Sequence, residues 1–216
     1  MSDPIPFVLA NTRLDRTPLL PEISLHLASQ VTPLWEATEA TLQKEGLPPP
    51  YWAFAWVGGQ AVARHLLDHP EIVRGLRVLD FAAGSGVAGI AAALAGAALV
   101  EAAEIDAFAG AAISLNASAN GVAVSVFLED LVGSKRRWDV VLAGDVCYER
   151  PMAERVFDWL LTLQSQGARI LLGDPGRAYL PQSGLALLGS YDVPTTRDIE
   201  DKDMRTAKVY EVLATL

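Results

Sequence analysis

A regular alternation of apolar and helical segments between residues 77 and 173 constrains the fold of this 216-residue chain more than any other feature. Apolar segments of strand length lie at 77–82, 99–104, 124–128, 138–144 and 169–173. Segments of helical character lie between them at 87–95, 107–120 and 152–164. Strands that alternate with helices form a parallel sheet, because each helical crossover returns the chain to the same end of the sheet. The pattern predicts an α/β fold with helices on both faces.

The carboxy-terminal part of the chain departs from this alternation. Two further strands are predicted at 185–193 and 208–213, and the polar segment 194–206 between them leaves no room for a helical crossover. We expect these two strands to pair antiparallel. The complete prediction is a three-layer αβα, doubly wound sheet of seven strands that is mostly parallel and has an antiparallel carboxy-terminal strand.

The amino-terminal residues follow neither pattern. Residues 1–22 contain four prolines and predict an extended arm, whereas apolar residues near helical spacing predict a helix over 23–45. An aromatic segment and the paired glycines Gly58 and Gly59 precede a further helix that ends near Asp68. We therefore expect an amino-terminal arm with helices in residues 1–70, followed by the main domain in residues 71–216.

Charge and metal-ligand content exclude several classes of function. The 17 basic and 26 acidic residues give a net charge of −9. A protein that wraps duplex nucleic acid is not expected, because phosphate contacts need a basic face. The three histidines form no known metal-binding motif, so no metal is expected. An acidic surface suits a small cationic ligand or a protein with exposed lysines.

Three observations bear on the compartment. The amino terminus has no basic stretch before an apolar run, so no signal peptide is expected. Cys147 is the single cysteine, which leaves no intrachain disulfide. The uncharged segment 81–100 has membrane-spanning length, but glycines interrupt it, which favours a strand, a turn and a buried helix. A cytoplasmic protein, or one in an organelle matrix, is expected, without membrane association.

A glycine pattern follows the first predicted strand of the alternating region. Residues 84–89 read Gly-x-Gly-x-x-Gly, and Glu104 follows 20 residues after Gly84 at the end of the next strand. Dinucleotide-binding domains have this arrangement, with the acid on the ribose hydroxyls. Asp80, however, lies just before the glycines, where a carboxylate would repel a diphosphate and suit a cation. The residues leave two cofactors open: a nicotinamide dinucleotide, and S-adenosylmethionine, which carries a sulfonium and an ammonium.

Several further motifs carry a family resemblance. Residues 78–86, Val-Leu-Asp-Phe-Ala-Ala-Gly-Ser-Gly, resemble the first motif of class I, seven-β-strand methyltransferases that use S-adenosylmethionine. Trp56 and the Asp-x-x-Tyr pattern of residues 145–148 resemble the family-16 protein lysine methyltransferases. Four further motifs are similar to those of the electron transfer flavoprotein β-subunit lysine methyltransferases: Pro-Pro-Tyr-Trp-Ala at 49–53, Gly-Gly-Gln-Ala at 58–61, Gly-Asp at 144–145 and Gly-Asp-Pro-Gly-Arg at 173–177.

The resemblance implies a cofactor site for S-adenosylmethionine. Backbone at Gly84 and Gly86 would approach the cofactor, Asp80 would lie beside its amino-acid end, and Glu104 would bind its ribose hydroxyls. Asp130 is expected near the adenine amine, and Trp56 at the mouth of the site. The complete implied cofactor set is Trp56, Asp80, Ala82, Gly84, Gly86, Glu104, Asp130 and Gly144.

The same resemblance implies the catalytic residues. Asp145 follows a central strand at its carboxyl end, where open α/β sheets bind their ligands. It is expected to orient a lysine amine and accept its proton through hydrogen bonds, and Tyr148 is expected to line the channel. Cys147 is expected to be a buried, inert thiol. Arg177 would either contact the substrate protein or brace its own loop.

The implied acceptor is a lysine of the electron transfer flavoprotein β subunit. Three alternatives remain: methylation of another acceptor such as a ribosomal protein or a small amine, an oxidoreductase that uses a nicotinamide dinucleotide, and a non-catalytic binding module. The joint presence of Asp80, Glu104, Asp145 and Tyr148 argues against the last of these.

Overall fold

The structure is a computed structural model that describes residues 3–28, 49–195 and 202–213. Its helices are α1 (Pro4–Asn11), α2 (Val57–Asp68), α3 (Val87–Leu94), α4 (Ala107–Ala119) and α5 (Arg150–Ser165). Its strands are β1 (Arg13–Thr17), β2 (Leu20–Leu27), β3 (Arg77–Phe81), β4 (Leu99–Glu104), β5 (Ser125–Leu128), β6 (Val140–Gly144), β7 (Arg169–Asp174), β8 (Leu185–Pro194) and β9 (Met204–Val212).

Strands β3 to β9 form one seven-stranded sheet in the order β5-β4-β3-β6-β7-β9-β8. The first five strands in this order pair parallel, and β9 pairs antiparallel with both β7 and β8. The predicted doubly wound sheet with an antiparallel carboxy-terminal strand is therefore confirmed. After β5 the chain crosses to the other side of β3, so the strand order reverses between β3 and β6. Ligands bind at such a reversal, beyond the carboxyl ends of the strands.

Apolar packing covers both faces of the sheet. On one face, helix α5 buries Trp159 in a cluster that includes Leu79 of β3. On the other face, α2 and α3 pack their apolar sides in a cluster that includes Val78 of β3. Val78 and Leu79 are neighbours in the chain but face opposite layers, because side chains alternate along a strand. Burial on both faces explains why the central strands are almost continuously apolar.

The element boundaries follow the predictions within the sheet, apart from the last strand. Strand β9 begins at Met204, which pairs with Pro194, so the antiparallel pairing is longer than expected. Segment 81–100 forms the end of β3, a turn, α3 and the start of β4, as expected. Among the described helices, none has both the length and the apolar character needed to cross a membrane. The division of the chain at residue 70 stays a prediction.

The helix predicted to end near Asp68 is confirmed as α2, but the prediction for residues 3–28 is wrong. Instead of an extended arm and a helix from residue 23, the chain forms α1 and then an antiparallel hairpin of β1 and β2. Ile23 and Leu25 of β2 are buried against residues of α2, α3 and α4, including Ala63 and Ile90. This burial favours a strand over the helix that the spacing of Ile23 and Leu27 also allows. The remainder of the predicted helix, residues 29–45, lies outside the described residues.

Candidate active site

A crevice of about 450 Å³ opens at the carboxyl ends of β3, β4 and β6. It coincides with the reversal in strand order, as expected for this fold. Eight of the ten predicted site residues line the crevice: Trp56, Ala82, Gly84, Glu104, Asp130, Gly144, Asp145 and Tyr148. Asp80 and Gly86, the other two, lie behind its wall.

The turn Gly84–Gly86, called the glycine turn below, forms the wall of the crevice between β3 and α3. Gly84 has a φ of +54° and Gly86 a φ of +76°, a left-handed conformation that glycine adopts without a steric cost. A Cβ on Gly86 would lie 3.1 Å from the side chain of Ile113, so glycine also permits close packing on α4. Ala82 just before the turn has a φ of +51°, which costs an alanine about 1–2 kcal/mol.

Glu104 connects the end of β4 to the glycine turn. Its Oε1 accepts a hydrogen bond of 2.8 Å from Gly84 N, and its Oε2 accepts one of 3.0 Å from Ile105 N. Burial raises the pKa of Glu104, and the two backbone donors partly counter that effect. Each oxygen has a second lone pair for a ligand hydroxyl. The neighbouring Asp106 instead caps helix α4, because its Oδ1 accepts from Phe108 N at 2.8 Å.

Asp145 sits directly after β6, and the first turn of helix α2 holds its carboxylate. Its Oδ2 accepts hydrogen bonds from Gly58 N at 2.6 Å and from Gly59 N at 3.1 Å. These amides belong to the positive end of the helix dipole, which favours a negative charge there. Asp145 itself has a φ of +56°, which directs its side chain toward α2. Helix α2 and the end of β6 together fix the orientation of this carboxylate.

Glycines make this close approach of helix and sheet possible. A Cβ on Gly58 would overlap the carbonyl oxygen of Gly173 in β7 and lie 2.7 Å from Asp145 Oδ2. A Cβ on Gly144 in β6 would lie 2.7 Å from Gly59 N. The Gly-Gly, Gly-Asp and Gly-Asp-Pro-Gly-Arg motifs therefore form one packing unit, in which the start of α2 rests on the ends of two strands.

Arg177 supplies a third donor to Asp145. Its guanidinium lies 3.0 Å from Asp145 Oδ1, and both side chains are largely buried. The backbone of its loop is held by buried Asp174, whose Oδ1 accepts from Gly176 N and Arg177 N, each at 2.6 Å. Burial raises the pKa of Asp145 to about 6, and the charge and hydrogen bond of Arg177 oppose that rise. The Arg177 side chain thus holds Asp145, an arrangement that neither of its two predicted roles named.

Aromatic side chains surround the side of the crevice next to Asp145. Tyr51 and Tyr148 are 39% and 43% exposed, and their ring centres are 5.8 Å apart. Trp56 contacts the ring of Tyr51 edge-on and donates from Nε1 to the Tyr51 carbonyl oxygen at 2.8 Å. These rings can accept a cation over their faces while excluding water. Cys147 is buried, and burial raises its pKa to about 12, so its thiol stays protonated as expected.

Asp130 lines the outer part of the crevice beyond β5. Its carboxylate forms an ion pair with Arg155 of α5, and its Oδ1 accepts from Val132 N at 3.0 Å. The side chain is about half exposed, so it can also accept a hydrogen bond from a ligand. Its expected contact with an adenine amine stays a prediction.

Asp80 and Gly86 are packed behind the wall of the crevice. Asp80 is 2% exposed, lies on the same face of β3 as Val78, and accepts a hydrogen bond of 2.7 Å from Gly89 N of α3. It therefore bonds to the backbone of helix α3 behind the crevice and does not line the crevice itself. Gly86 is buried against Ile113 and acts as the cap residue of α3. Both residues shape the crevice without lining it.

Sequence reasoning missed the roles of Gly58, Gly59 and Tyr51 in this site. The glycine pair was visible in the sequence. Two glycines at the start of a helix do not indicate a functional site, however, unless the element that packs on them is known. The useful signal is the combination of that pair with Gly144 and Gly173, each just before an aspartate at a strand end.

The charges along the crevice test which ligand it fits. Among the described residues the lining holds five acids and two arginines: Glu104, Asp106, Glu129, Asp130, Asp145, Arg155 and Arg177. Both arginines are ion-paired to lining acids. The crevice therefore suits a cationic ligand with vicinal hydroxyls and disfavours a diphosphate. S-adenosylmethionine meets these requirements.

Solved structures share this fold. Magnesium protoporphyrin IX methyltransferase from Synechocystis PCC 6803, crystallised with S-adenosylhomocysteine, aligns with a TM-score of 0.53 at 19% identity, covering 73% of this chain and 81% of that one. A putative RNA methyltransferase from Pyrococcus horikoshii aligns with a TM-score of 0.52 at 16% identity, covering 73% and 83%. The family model of ribosomal protein L11 methyltransferase (PrmA) matches residues 65–149. The protein has the fold of the class I methyltransferases.

Curated relatives define the family more narrowly. Electron transfer flavoprotein beta subunit lysine methyltransferase of Xenopus laevis is 42% identical over 181 residues, covering 81% of this chain and 71% of that protein. The Danio rerio protein of that name is 34% identical over 212 residues, covering 94% and 81%. A Caenorhabditis elegans homolog is 33% identical over 233 residues, covering 95% and 94%. The chain belongs to the electron transfer flavoprotein β subunit lysine methyltransferases.

Proposed function

We propose that this enzyme transfers the methyl group of S-adenosylmethionine to a lysine amine of the electron transfer flavoprotein β subunit. The curated relatives carry this substrate in their names. The observation that carries the proposal is the Asp145 carboxylate, held by three donors at the edge of the crevice beside exposed aromatic rings.

The reaction is an in-line displacement. The lysine ammonium first releases one proton to solvent; its neutral nitrogen then forms a bond to the methyl carbon as the bond from that carbon to sulfur breaks, which leaves a methylated ammonium and S-adenosylhomocysteine. The bound cofactor supplies a methyl group activated by a positively charged sulfur. A lysine must first be neutral, and at pH 7 deprotonation costs about 4–5 kcal/mol for a pKa near 10.4. Burial of the lysine between the rings lowers this cost, because desolvation disfavours the charged ammonium, whereas cation–π contact with the same rings opposes that effect.

Asp145 orients the amine in this proposal. With a pKa of about 6 it is ionised at neutral pH, and its three donors prevent it from rotating. Its Oδ1 retains a lone pair beside the bond from Arg177, and this lone pair accepts an N–H of the incoming amine. The nitrogen lone pair is thereby aimed away from Asp145 and into the crevice. Tyr148, partly exposed at the same edge, forms a wall of the channel.

The cofactor residues divide into contacts and supports. We assign the ribose hydroxyls to Glu104, the close backbone approach to Gly84 and Ala82, and the adenine amine to Asp130. Trp56 and Gly144 border the same space. We assign Asp80 and Gly86 to the supports: Asp80 bonds to Gly89 N of α3, and Gly86 packs on Ile113.

The test is methyl transfer from S-adenosylmethionine labelled in its methyl group. The purified flavoprotein is compared with ribosomal protein L11 and with free lysine as acceptors, and mass spectrometry locates the modified residue. We expect label on a lysine of the flavoprotein β subunit and none on the other two acceptors. Label on L11 or free lysine, with the flavoprotein unmodified, would overturn the proposed substrate.

We also propose a cytoplasmic location for the enzyme. The support is its single cysteine, Cys147, which is buried as a free thiol and is compatible with a reducing compartment. Fractionation of cells that express the tagged full chain tests this: recovery in an organelle fraction would contradict it.

A further inference from the structure

Helix α4 carries a buried side chain that touches both the amino-terminal hairpin and the glycine turn. Asn116 is completely buried. Its Oδ1 accepts a hydrogen bond of 2.6 Å from His26 N in β2, and its Nδ2 donates one of 2.8 Å to the carbonyl oxygen of Ser85. Ser85 is the central residue of the glycine turn. One amide group therefore connects two backbone segments that are 59 residues apart in the chain, from residue 26 to residue 85.

The glycine turn needs such an external contact. Its outer residues have left-handed backbone conformations, and glycine has the largest conformational freedom to lose when it is fixed. Gly84 N is held by Glu104 from the side of β4, and the Ser85 carbonyl is held by Asn116 from the side of α4. A turn fixed from both sides presents its backbone to a ligand without an ordering cost at binding.

We propose that Asn116 is a positioning residue for the cofactor: it fixes the glycine turn to the hairpin of β1 and β2, so that this hairpin contributes to cofactor affinity without touching the crevice. The proposal concerns the cofactor and does not depend on the acceptor. Its failure would leave the lysine proposal intact, because binding of S-adenosylhomocysteine is measured in the absence of any acceptor.

Asn120 provides a matched control one helical turn further on. Its Oδ1 accepts from Ser24 N at 2.9 Å, and its Nδ2 donates to the Ser24 carbonyl at 2.6 Å. Asn120 thus holds the same strand β2, but none of its described hydrogen bonds reaches the glycine turn. Removing Asn120 loosens the hairpin, whereas removing Asn116 loosens the hairpin and the turn.

The first experiment is calorimetric binding of S-adenosylhomocysteine to wild type, Asn116→Ala and Asn120→Ala, with melting temperatures recorded in parallel. We expect Asn116→Ala to weaken binding at least tenfold and Asn120→Ala at most threefold, although both lower the melting temperature. Equal weakening by the two variants would overturn the proposal, because it would assign the effect to the hairpin alone.

The second experiment uses Asn116→Asp and remains decisive if the alanine variant does not fold. The new carboxyl still accepts from His26 N. When ionised it places a negative oxygen against the Ser85 carbonyl, and when protonated it donates to that carbonyl as the amide did. We expect the ratio of its dissociation constant to that of wild type to fall at least tenfold between pH 8 and pH 5.5.

The variant and the wild type are compared at the same pH, so titration of groups that both proteins contain affects both dissociation constants and does not change their ratio. Near the turn these groups are His26 on β2, Asp80 on β3 and Glu104 on β4. Asn120→Asp, measured in the same way, is expected to keep a constant ratio. A constant ratio for Asn116→Asp, or an equal change in both variants, would overturn the proposal.

Discussion

Replacing Asp80 with asparagine is expected to stabilise the protein at neutral and alkaline pH. The Asp80 side chain is 2% exposed and accepts a single described hydrogen bond, from Gly89 N. Burial raises its pKa from 3.8 to about 7, the bond from Gly89 opposes the rise, and the nearby charge of Glu104 adds to it. The folded state therefore favours the protonated form of the Asp80 carboxyl over the ionised form.

The size and sign of the effect follow from that pKa. A rise of about 3 pKa units corresponds to about 4 kcal/mol of lost unfolding free energy once the group is ionised. The favourable contribution of the protonated group is complete below pH 3.8 and is lost as the pH rises through 7. Asparagine cannot ionise, and its Oδ1 still accepts from Gly89 N. The advantage of Asp80→Asn should grow between pH 4 and pH 7 and level off above pH 8.

Urea denaturation at several pH values between 4.5 and 8.5 measures this difference directly. Asp80→Ala serves as the control, because it also removes the charge but loses the acceptor for Gly89 N. It should show the same pH trend with lower stability throughout. The reasoning is refuted if the difference between Asp80→Asn and wild type is constant over this range, or if Asp80→Asn is less stable than wild type at pH 8.

Three further predictions concern the crevice. Gly58→Ala should lower the unfolding free energy by about 1–3 kcal/mol in urea denaturation, because its Cβ would overlap the Gly173 carbonyl; an unchanged midpoint would contradict the packing described. Glu104→Gln should weaken S-adenosylhomocysteine about tenfold in calorimetry, since neutral acceptors form weaker hydrogen bonds; unaltered affinity would remove Glu104 from the ribose contacts. Arg177→Met should raise the pKa of Asp145 above its value of about 6, so the acidic limb of the rate–pH profile should move to higher pH; a limb that stays in place would contradict this.

The sheet was predictable because its signals are local. Each central strand is a short apolar segment next to a glycine or an acid, and helical crossovers between parallel strands are nearly always right-handed, which leaves few possible topologies. The crevice followed for the same reason, since Glu104 and Asp145 lie at strand ends that meet at one edge of a parallel sheet. Residues at the carboxyl ends of parallel strands can be placed at one edge of the sheet once the direction and order of the strands are known.

The amino-terminal hairpin was not predictable because its stabilising contacts come from distant residues. Ile23 and Leu27 satisfy helical spacing, and Ile23 and Leu25 satisfy strand spacing. The strand is selected by Asn116 and Asn120, which bond to its backbone from about 90 residues away. No local pattern in residues 20–27 contains that information.

The burial of Asp80 behind the crevice wall was not predictable for a related reason. Its place before the glycine turn is visible in the sequence, but whether its side chain faces the crevice depends on which layer covers that face of β3. Asp80 shares its face with Val78, which α2 and α3 cover, and so it meets Gly89 of α3. The alternation of side chains along a strand shows that Asp80 and Val78 share one face of β3, but it does not show which face borders the ligand.

The most direct test of the account is the methyl-transfer rate of Asp145→Asn at saturating S-adenosylmethionine, measured on the flavoprotein beside the affinity for S-adenosylhomocysteine. If Asp145 orients the acceptor amine, the rate should fall at least 100-fold, about 2.7 kcal/mol in the barrier, while the affinity changes less than threefold. A rate near that of wild type, or a loss of cofactor binding that accounts for the whole decrease, would contradict the assignment of Asp145 to the amine.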